Sequence, residues 1–146
     1  MNKIIFLDID GVLNTDFQEN WDNTQWDWNS CNNLMYIIWK TQAKIVISSS
    51  WRHNLQKLKR IWQENWLDWD LIIWVTPSET WHGRDEEIRQ FLSWNQDFLY
   101  PYEYVAIDDE YNPMPITSIS WKLVKTDPRK WITRQCAEAV IKQLNS

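Results

Sequence analysis

Glycine and cysteine are both scarce in this chain, with 2 of each among 146 residues. Average usage predicts about 10 glycines in a chain of this length, so the deficit calls for an explanation. Cys31 and Cys136 lie in segments predicted to be helical and form no CxxC pair. This spacing excludes a cysteine metal motif and favours reduced thiols in a cytoplasmic protein.

The chain also lacks a long apolar run and an excess of basic charge. One Lys and about six apolar residues precede Asp8, too few for a signal peptide or a membrane span. The formal net charge of -5 argues against nucleic-acid binding driven by overall charge, but leaves a local basic patch open. Residues 1–146 are therefore predicted to form a single soluble, intracellular domain with a full core.

Apolar segments of strand length alternate with helical segments along the chain. We predict strands at residues 4–9, 44–48, 71–75, 104–107 and 123–125. Helices are predicted at about 32–41, 55–65, 85–94 and 133–144. This alternation predicts an α/β fold, with a mostly parallel sheet covered by helices on both faces. In open sheets of this kind, ligands bind beyond the carboxyl ends of the strands.

Polar side chains follow three of the predicted strands. They are Asp8 and Asp10 after the first, Ser48, Ser49 and Arg52 after the second, and Asp108 and Asp109 after the fourth. Any one of these sites fits an ordinary helix cap or turn. In a parallel sheet, however, four carboxylates and two hydroxyls meet at one edge. Such a cluster of acids is destabilising unless a cation intervenes, so the pattern predicts a metal site.

These segments resemble the motifs of the haloacid dehalogenase (HAD) superfamily of phosphohydrolases, and the resemblance covers nearly the whole chain. DIDG at residues 8–11, the serines after the second strand, Arg84 at a helix start and the Asp108–Asp109 pair are similar to the four motifs in order. More narrowly, ISSSWR, GRDEEIRQFL, VAIDDE and LVKTDPRKWIT resemble the small HAD domains of Swiss Army Knife RNA repair proteins. The fold implied is a Rossmann-like three-layer sandwich.

The resemblance implies a role for each polar residue of the first and fourth motifs. Asp8 would be the nucleophile that attacks phosphorus and forms an aspartyl phosphate, and Asp10 the general acid and base. Mg²⁺ would be held by Asp8, the backbone carbonyl of Asp10 and Asp108, with Asp109 a ligand or a neighbour of one. Gly11 would let the backbone turn sharply and approach the phosphate, although an ordinary turn glycine is the alternative.

The second motif needs a hydroxyl that binds a phosphoryl oxygen. Ser48, Ser49 and Ser50 are the candidates. The spacing to Trp51 in the family pattern favours Ser49, with Ser48 next. The other serines would then contact the substrate.

The third motif needs a cation that balances the charge of the nucleophile and the phosphate. Arg84 begins a predicted helix before the strand of the Asp pair and matches that place. Arg52 is the alternative cation and a candidate substrate contact. A surface pairing of Arg84 with Glu86 or Glu87 would leave Arg84 without this role.

The family places its large caps after the first or the second motif. Here only residues 14–29 are available after the first, and Ser50 leads directly into a predicted helix. The resemblance therefore implies a minimal cap or none. An open site favours a phosphate on a macromolecule, such as an RNA or DNA end, over a small metabolite. The implied function is that of a magnesium-dependent phosphohydrolase.

Three other functions stay open beside this one. A small-metabolite phosphatase would use the same residues. A catalytically silent HAD-like binding or regulatory module would not need both Asp8 and Asp10, which argues against it. A receiver domain would carry its Asp pair after the first strand, whereas the pair here follows a late one. The sequence makes no prediction of the oligomeric state.

Tryptophan is abundant where glycine is scarce, with 13 residues. Trp66 follows a predicted helix where a left-handed cap is usual, Trp131 precedes the last helix, and Trp74 interrupts a strand. We therefore predict that UGA was read as tryptophan in this sequence, whereas the source organism reads it as glycine. Trp51 is expected to be genuine, because SSSWR matches the family pattern with tryptophan.

The competing prediction is that the tryptophans form a stacking surface for single-stranded nucleic acid. Such a surface needs interleaved Lys and Arg, whereas Trp21, Trp26, Trp28 and Trp69 have mainly Asp and Asn as neighbours. The polar neighbours of Trp26, Trp28 and Trp69 also predict little core in which an indole could be buried.

Overall fold

The structure is a computed structural model that describes residues 1–14, 26–77, 83–109 and 119–146. Within these ranges the strands are β1 (Asn2–Leu7), β2 (Lys44–Ile47), β3 (Ile72–Val75), β4 (Tyr102–Asp108) and β5 (Leu123–Lys125). The helices are α1 (Trp28–Thr41), α2 (Leu55–Glu64), α3 (Arg84–Trp94), α4 (Gln96–Leu99) and α5 (Arg134–Asn145). Short 3₁₀ turns span Ser50–His53, Trp69–Leu71 and Ser120–Lys122.

The five strands form one parallel sheet in the order β3-β2-β1-β4-β5. β1 is the central strand. The next two strands in the chain, β2 and β3, lie on one side of it, and β4 and β5 lie on the other. In doubly wound sheets the ligand crevice opens where this order reverses, at the carboxyl ends of the strands. The crevice is therefore expected between β1 and β4. The predicted α/β fold with a parallel sheet is confirmed.

Helices cover both faces of the sheet. Side chains alternate between the two faces along each strand, so a buried strand contributes apolar residues to both. One face packs against α1, α2 and α5, and its buried residues include Ile5, Leu7, Ile47, Leu34, Trp62 and Val140. The other face packs against α3, and its buried residues include Ile4, Phe6, Val46, Ala106, Ile88 and Phe91. The result is the expected three-layer arrangement.

Capping explains where two helices begin. Asp27 accepts a hydrogen bond from the Ser30 backbone N–H at 2.8 Å, so α1 begins at Trp28 and not near residue 32 as predicted. The first turn of α1 is mostly polar, so it lacks the apolar periodicity from which a helix is predicted. Thr133 caps α5 in the same way, by accepting from the Cys136 backbone N–H at 3.2 Å. The short helix α4 was not predicted.

Two of the three tryptophans assigned to glycine positions have a left-handed backbone. The φ angle is +65° at Trp66 and +59° at Trp131. For a residue other than glycine, this conformation costs about 1–2 kcal/mol. Trp74 lies in β3 with an exposed side chain, and its φ is not positive.

The three tryptophans with polar neighbours, Trp26, Trp28 and Trp69, do not all lack contacts with the core. Trp26 is buried, and its ring meets those of Trp51 and Trp62 edge to face, with centroids 6.2 Å and 6.0 Å away. Trp69 is partly buried against Trp62, at 6.3 Å. The expectation of little core was therefore wrong for Trp26 and Trp69, whereas Trp28 is exposed as expected.

No insertion separates the second-motif serines from α2, since only the turn Ser50–His53 and one further residue lie between them. Most of the segment in which a cap after the first motif would lie, residues 15–25, is outside the described residues. None of the helices in the described part of the chain is both long and apolar enough to cross a membrane.

Candidate active site

Three carboxylates meet at the carboxyl ends of the neighbouring strands β1 and β4. Asp8 comes directly after β1, Asp108 ends β4, and Asp109 follows it. The strands pair in register, Leu7 with Ile107, which brings these residues to the same level of the sheet. One oxygen atom from each carboxylate lies within 4.8 Å of the other two, and all three residues are buried.

Arg84, the first residue of α3, contacts this acid cluster. Its Nη1 lies 2.9 Å from Oδ1 of Asp8 and 3.1 Å from Oδ2 of Asp108, and it donates to the backbone carbonyl of Ser48. The surface pairing weighed as an alternative is absent from the described contacts, because Glu86 pairs with Arg89 at 2.6 Å. The structure thus brings a cation to the carboxylates of the first and fourth motifs.

Burial and neighbouring charges shift the pKa of groups in this cluster. Burial raises the pKa of Asp8 well above its ordinary value, and repulsion from Asp108 raises it further, whereas Arg84 lowers it. For Arg84, burial lowers the pKa of the guanidinium, but Asp8 and Asp108 more than offset this and keep it protonated. Arg84 contacts two of the three carboxylates, and one oxygen atom of each carboxylate lies within 4.8 Å of the other two. Oxygen donors of this kind suit Mg²⁺.

Gly11 touches the same cluster from the loop after β1. Its φ is +78°, and a Cβ atom on it would lie 2.0 Å from Oδ2 of Asp109. Its N–H donates to the Asn14 carbonyl at 3.0 Å, and its carbonyl accepts from the Thr126 hydroxyl at 2.9 Å. Both the conformation and the close approach require glycine. The group that approaches is Asp109, a contact that sequence reasoning did not foresee.

The second-motif serines differ in exposure and in partners. Ser48 and Ser49 are buried, and Ser50 is exposed. The Ser49 hydroxyl accepts from the Trp51 backbone N–H at 3.3 Å, which leaves its own proton free to be donated. The buried Ser48 hydroxyl has no hydrogen-bond partner among the described residues. Both hydroxyls remain candidates for contact with a phosphoryl oxygen.

Asp10 stands apart from the cluster of three carboxylates. It is half-buried, and its Oδ1 accepts a hydrogen bond from Nε1 of Trp51 at 3.1 Å. Sequence reasoning kept Trp51 as genuine but gave it no role. The available signal was the indole N–H, which needs an acceptor wherever the ring is buried.

Arg52 is held by residues of the protein. Its Nη1 and Nη2 bind the two carboxylate oxygens of Glu87 at 3.0 Å and 3.1 Å, and Nη1 also lies 3.2 Å from the Thr76 hydroxyl. Burial raises the pKa of Glu87, whereas Arg52 lowers it. Glu87 lies one helical turn after Arg84, so this pair joins the turn after β2 to the helix that carries Arg84. Sequence reasoning missed this function of both residues.

A turn at residues 127–131 is anchored beside the loop that follows β1. On one side of the turn, the Thr126 hydroxyl donates to the Gly11 carbonyl at 2.9 Å. On the other side, the Ile132 N–H donates to the Val12 carbonyl at 3.0 Å. The turn therefore lies at the same edge of the sheet as the acid cluster.

This turn presents two cations. Arg129 and Lys130 are exposed, and neither forms an ion pair within the described ranges. Asp127 shapes the turn, since it accepts from the Arg129 N–H through its side chain at 2.9 Å and from the Lys130 N–H through its carbonyl at 2.9 Å. The two basic side chains are thus free to meet an anion.

The sequence model of one protein family matches residues 4–137, a range that contains all the residues described above as candidates. That family is described as the HAD domain in Swiss Army Knife RNA repair proteins. No curated protein and no solved structure matches the chain.

Proposed function

The chain belongs to the family of HAD domains of Swiss Army Knife RNA repair proteins, and from this premise we propose that it is a magnesium-dependent phosphohydrolase that works through an aspartyl phosphate. The observation that carries the proposal is the buried meeting of Asp8, Asp108 and Asp109 with Arg84. Buried carboxylate oxygens that lie this close together suit a divalent cation and, next to it, a phosphate. HAD-type hydrolases generally use Mg²⁺, which agrees with this donor set.

Asp8, Asp108 and Asp109, together with the backbone carbonyl of Asp10, would hold the ion. When bound, Mg²⁺ supplies positive charge that reduces the repulsion between a carboxylate nucleophile and a phosphate. Arg84 contributes in the same direction from the protein side. Its contacts with Asp8 and Asp108 also keep the nucleophile oriented.

In the proposed reaction, a carboxylate oxygen of Asp8 attacks phosphorus and the bond from phosphorus to the leaving oxygen breaks. The leaving oxygen takes the proton of the Asp10 carboxyl group. Asp10, now ionised, then accepts a proton from the water that attacks the aspartyl phosphate, and inorganic phosphate leaves Asp8 free again. The hydroxyl of Ser48 or Ser49 would bind a phosphoryl oxygen.

The test compares Asp8→Asn and Asp10→Asn with the parent, using para-nitrophenyl phosphate and Mg²⁺. Asp8→Asn should abolish turnover, since an amide is a poor nucleophile. Asp10→Asn should slow hydrolysis of the aspartyl phosphate by about 10²- to 10⁴-fold, so phosphoenzyme accumulates. Acid quenching followed by mass spectrometry should find the phosphate on Asp8. Label on another residue, or full turnover in excess chelator, would contradict the proposal.

Assays of phosphate release distinguish the proposed function from its two alternatives, a catalytically silent module and a small-metabolite phosphatase. A silent module would bind Mg²⁺ and a phosphorylated ligand but release no phosphate from any substrate. A metabolite phosphatase would hydrolyse small phosphate esters with a far higher kcat/KM than phosphorylated RNA or DNA ends.

For the substrate, we propose single-stranded RNA bearing a terminal phosphate. Arg129 and Lys130 support this, because they are exposed beside the loop after β1 and form no ion pair with the part of the chain that the structure describes. Two such cations suit the backbone phosphates next to the one that is hydrolysed. Charge at a local turn is compatible with the overall charge of -5.

The Arg129→Gln/Lys130→Gln variant tests this substrate. For a phosphorylated RNA oligonucleotide, each lost phosphate contact should make the plot of log kcat/KM against log salt shallower by about 0.7. The activity toward para-nitrophenyl phosphate should stay unchanged. Lys44→Gln/Lys142→Gln is the matched control, since Lys44 begins β2 and Lys142 lies in the last turn of α5, at the opposite edge of the sheet. Equal slopes for the two double variants would contradict the proposed RNA contact.

We further propose that Trp66 and Trp131 are glycine in the protein made by its source, a reading supported by their left-handed backbone. Mass spectrometry of peptides from that source tests it, and tryptophan at both positions would contradict it. We also propose that residues 1–146 act as one domain. The thiols of Cys31 and Cys136 are free, which supports a cytoplasmic location for the protein.

A further inference from the structure

We propose that Trp51 is a positioning residue that holds Asp10 for proton transfer, a proposal that rests on the proposed function. The observation behind it is the hydrogen bond from Nε1 of Trp51 to Oδ1 of Asp10, at 3.1 Å. Trp51 is buried, whereas Asp10 is half-buried. The indole is therefore the fixed partner of the two.

The chemistry of the indole decides which oxygen of Asp10 exchanges a proton. An indole N–H donates and cannot accept, so the oxygen it binds acts as an acceptor. The proton that Asp10 passes to the leaving oxygen is therefore carried on Oδ2. In the second half of the reaction, Oδ2 accepts the proton of the attacking water. Trp51 gains and loses no proton in either half.

The aromatic core holds Trp51 in place from behind. Its ring meets Trp26 edge to face at 6.2 Å, and Trp26 in turn meets Trp62 at 6.0 Å. The Trp51 backbone N–H is bound by the Ser49 hydroxyl at 3.3 Å. Because these buried rings hold the Trp51 indole, its N–H can restrict the rotation of the Asp10 carboxylate. Loss of this hydrogen bond would misalign the carboxylate and lower the rate of proton transfer.

The test uses aryl phosphates whose leaving groups range from p-nitrophenyl to the more basic phenyl. A basic leaving group needs the proton of Asp10, whereas p-nitrophenyl needs it little. Trp51→Phe should lower kcat/KM for phenyl phosphate by about 10- to 100-fold, which is part of the contribution of a general acid, and for p-nitrophenyl phosphate by less than about threefold. The dependence of log kcat/KM on leaving-group basicity therefore becomes steeper.

Trp62→Phe is the matched control. Trp62 is also a buried tryptophan of the same edge-to-face cluster, but its Nε1 donates to the backbone carbonyl of Asp68 at 3.0 Å. The same substitution there should lower thermal stability and leave the leaving-group dependence unchanged. A purely structural effect of Trp51→Phe would make the two variants behave alike.

A double variant asks whether Trp51 acts through Asp10. In the Asp10→Asn background, Trp51→Phe should cause no further loss with phenyl phosphate, because the group it positions is gone. Independent multiplication of the two losses would overturn the proposal. If Trp51→Phe fails to fold, Trp51→Met fills the space without an N–H and carries the same expectations.

The outcomes separate this proposal from the proposed function. If Asp10→Asn steepens the leaving-group dependence and neither Trp51 variant does, the positioning role is wrong and the phosphohydrolase stands. If the parent hydrolyses none of the aryl phosphates, or Asp10→Asn changes nothing, the proposed function fails and the role of Trp51 fails with it.

Discussion

The Cα atom of Gly11 faces Asp109 so closely that no side chain fits between them. The backbone there has a φ of +78°, the region in which glycine alone is unstrained. Trp66 and Trp131 share this backbone region without having glycine, at +65° and +59°. The backbone conformation favours glycine at all three positions, and at Gly11 the Asp109 side chain also excludes a Cβ atom.

Gly11→Ala is expected to damage the proposed Mg²⁺ site. Its Cβ would lie 2.0 Å from Oδ2 of Asp109, so this carboxylate must move. We expect the affinity for Mg²⁺ to fall by about 10- to 100-fold, as it does when groups that orient metal ligands are changed. Isothermal titration with Mg²⁺ measures this effect. Gly83→Ala is the control, since Gly83 has an ordinary φ of -71° and should keep the parent affinity.

Trp66→Gly is expected to stabilise the protein. Trp66 is 91% exposed, so few contacts are lost, whereas relief of the left-handed backbone gains about 1 kcal/mol. Trp39→Gly should have the opposite sign, because Trp39 is 68% exposed inside α1, where glycine costs about 1 kcal/mol. Urea denaturation measures both free energies of unfolding. Destabilisation by Trp66→Gly would contradict the assignment of this position to glycine.

Helix α3 carries Arg84 to the acid cluster, and the Arg52–Glu87 pair fixes this helix to the turn after β2. The two side chains are 12% and 8% exposed, so the pair is nearly buried and its two hydrogen bonds are shielded from water. A bidentate pair of this kind sets the orientation of the elements it joins as well as contributing energy. The helix that carries Arg84 is therefore held in place by an ion pair that begins one turn further along it, at Glu87.

Glu87→Gln should destabilise the protein by about 3 kcal/mol, because it leaves Arg52 buried without its counter-charge. The double variant Arg52→Met/Glu87→Leu should recover most of this loss, since no unpaired charge remains. Glu86→Gln serves as the control on the same helix. Its pair with Arg89 is exposed and should be worth less than about 1 kcal/mol. Equal losses for Glu86→Gln and Glu87→Gln in chemical denaturation would contradict this account.

Three buried carboxylates at the centre of the sheet edge bear on the stability of the whole protein. Burial, and then repulsion from Asp108, raises the pKa of Asp8 above the ordinary value of 3.8. Between that value and the folded pKa, the folded state binds more protons than the unfolded state. The free energy of unfolding contributed by Asp8 therefore falls as the pH rises through this window, in the absence of metal.

The melting temperature of the chelated protein should accordingly fall more steeply above pH 4 than that of Asp8→Asn, which has no charge to bury there. Mg²⁺ should stabilise the parent more at pH 7 than at pH 5, because it competes with protons for the same oxygens. At a concentration of one hundred times Kd, the gain is about 2.7 kcal/mol. Scanning fluorimetry with and without chelator measures all of these values. Identical pH profiles for the parent and Asp8→Asn would show that Asp8 is not the group responsible.

Local patterns were enough to predict most of the architecture. Apolar runs of strand length mark a buried parallel sheet, and the bounds predicted for β5 are those observed. The start of α1 was misplaced, because a polar first turn carries little apolar periodicity and is set by the Asp27 cap. Asp8, Asp108 and Asp109 were named from sequence because the carboxyl ends of parallel strands share one edge.

Pairing between polar side chains, by contrast, was decided by the tertiary structure. Arg52 and Arg84 both follow strand ends, and nothing in their local sequence says which one binds Glu87 and which one binds Asp8. Likewise, Trp51 and Asp10 lie 41 positions apart and meet only when β1 and β2 pair. Sequence determines which charges and donors exist, because composition and period are local. Which charged or polar side chains pair with each other depends on their distances across the sheet, and these distances are set when the strands assemble.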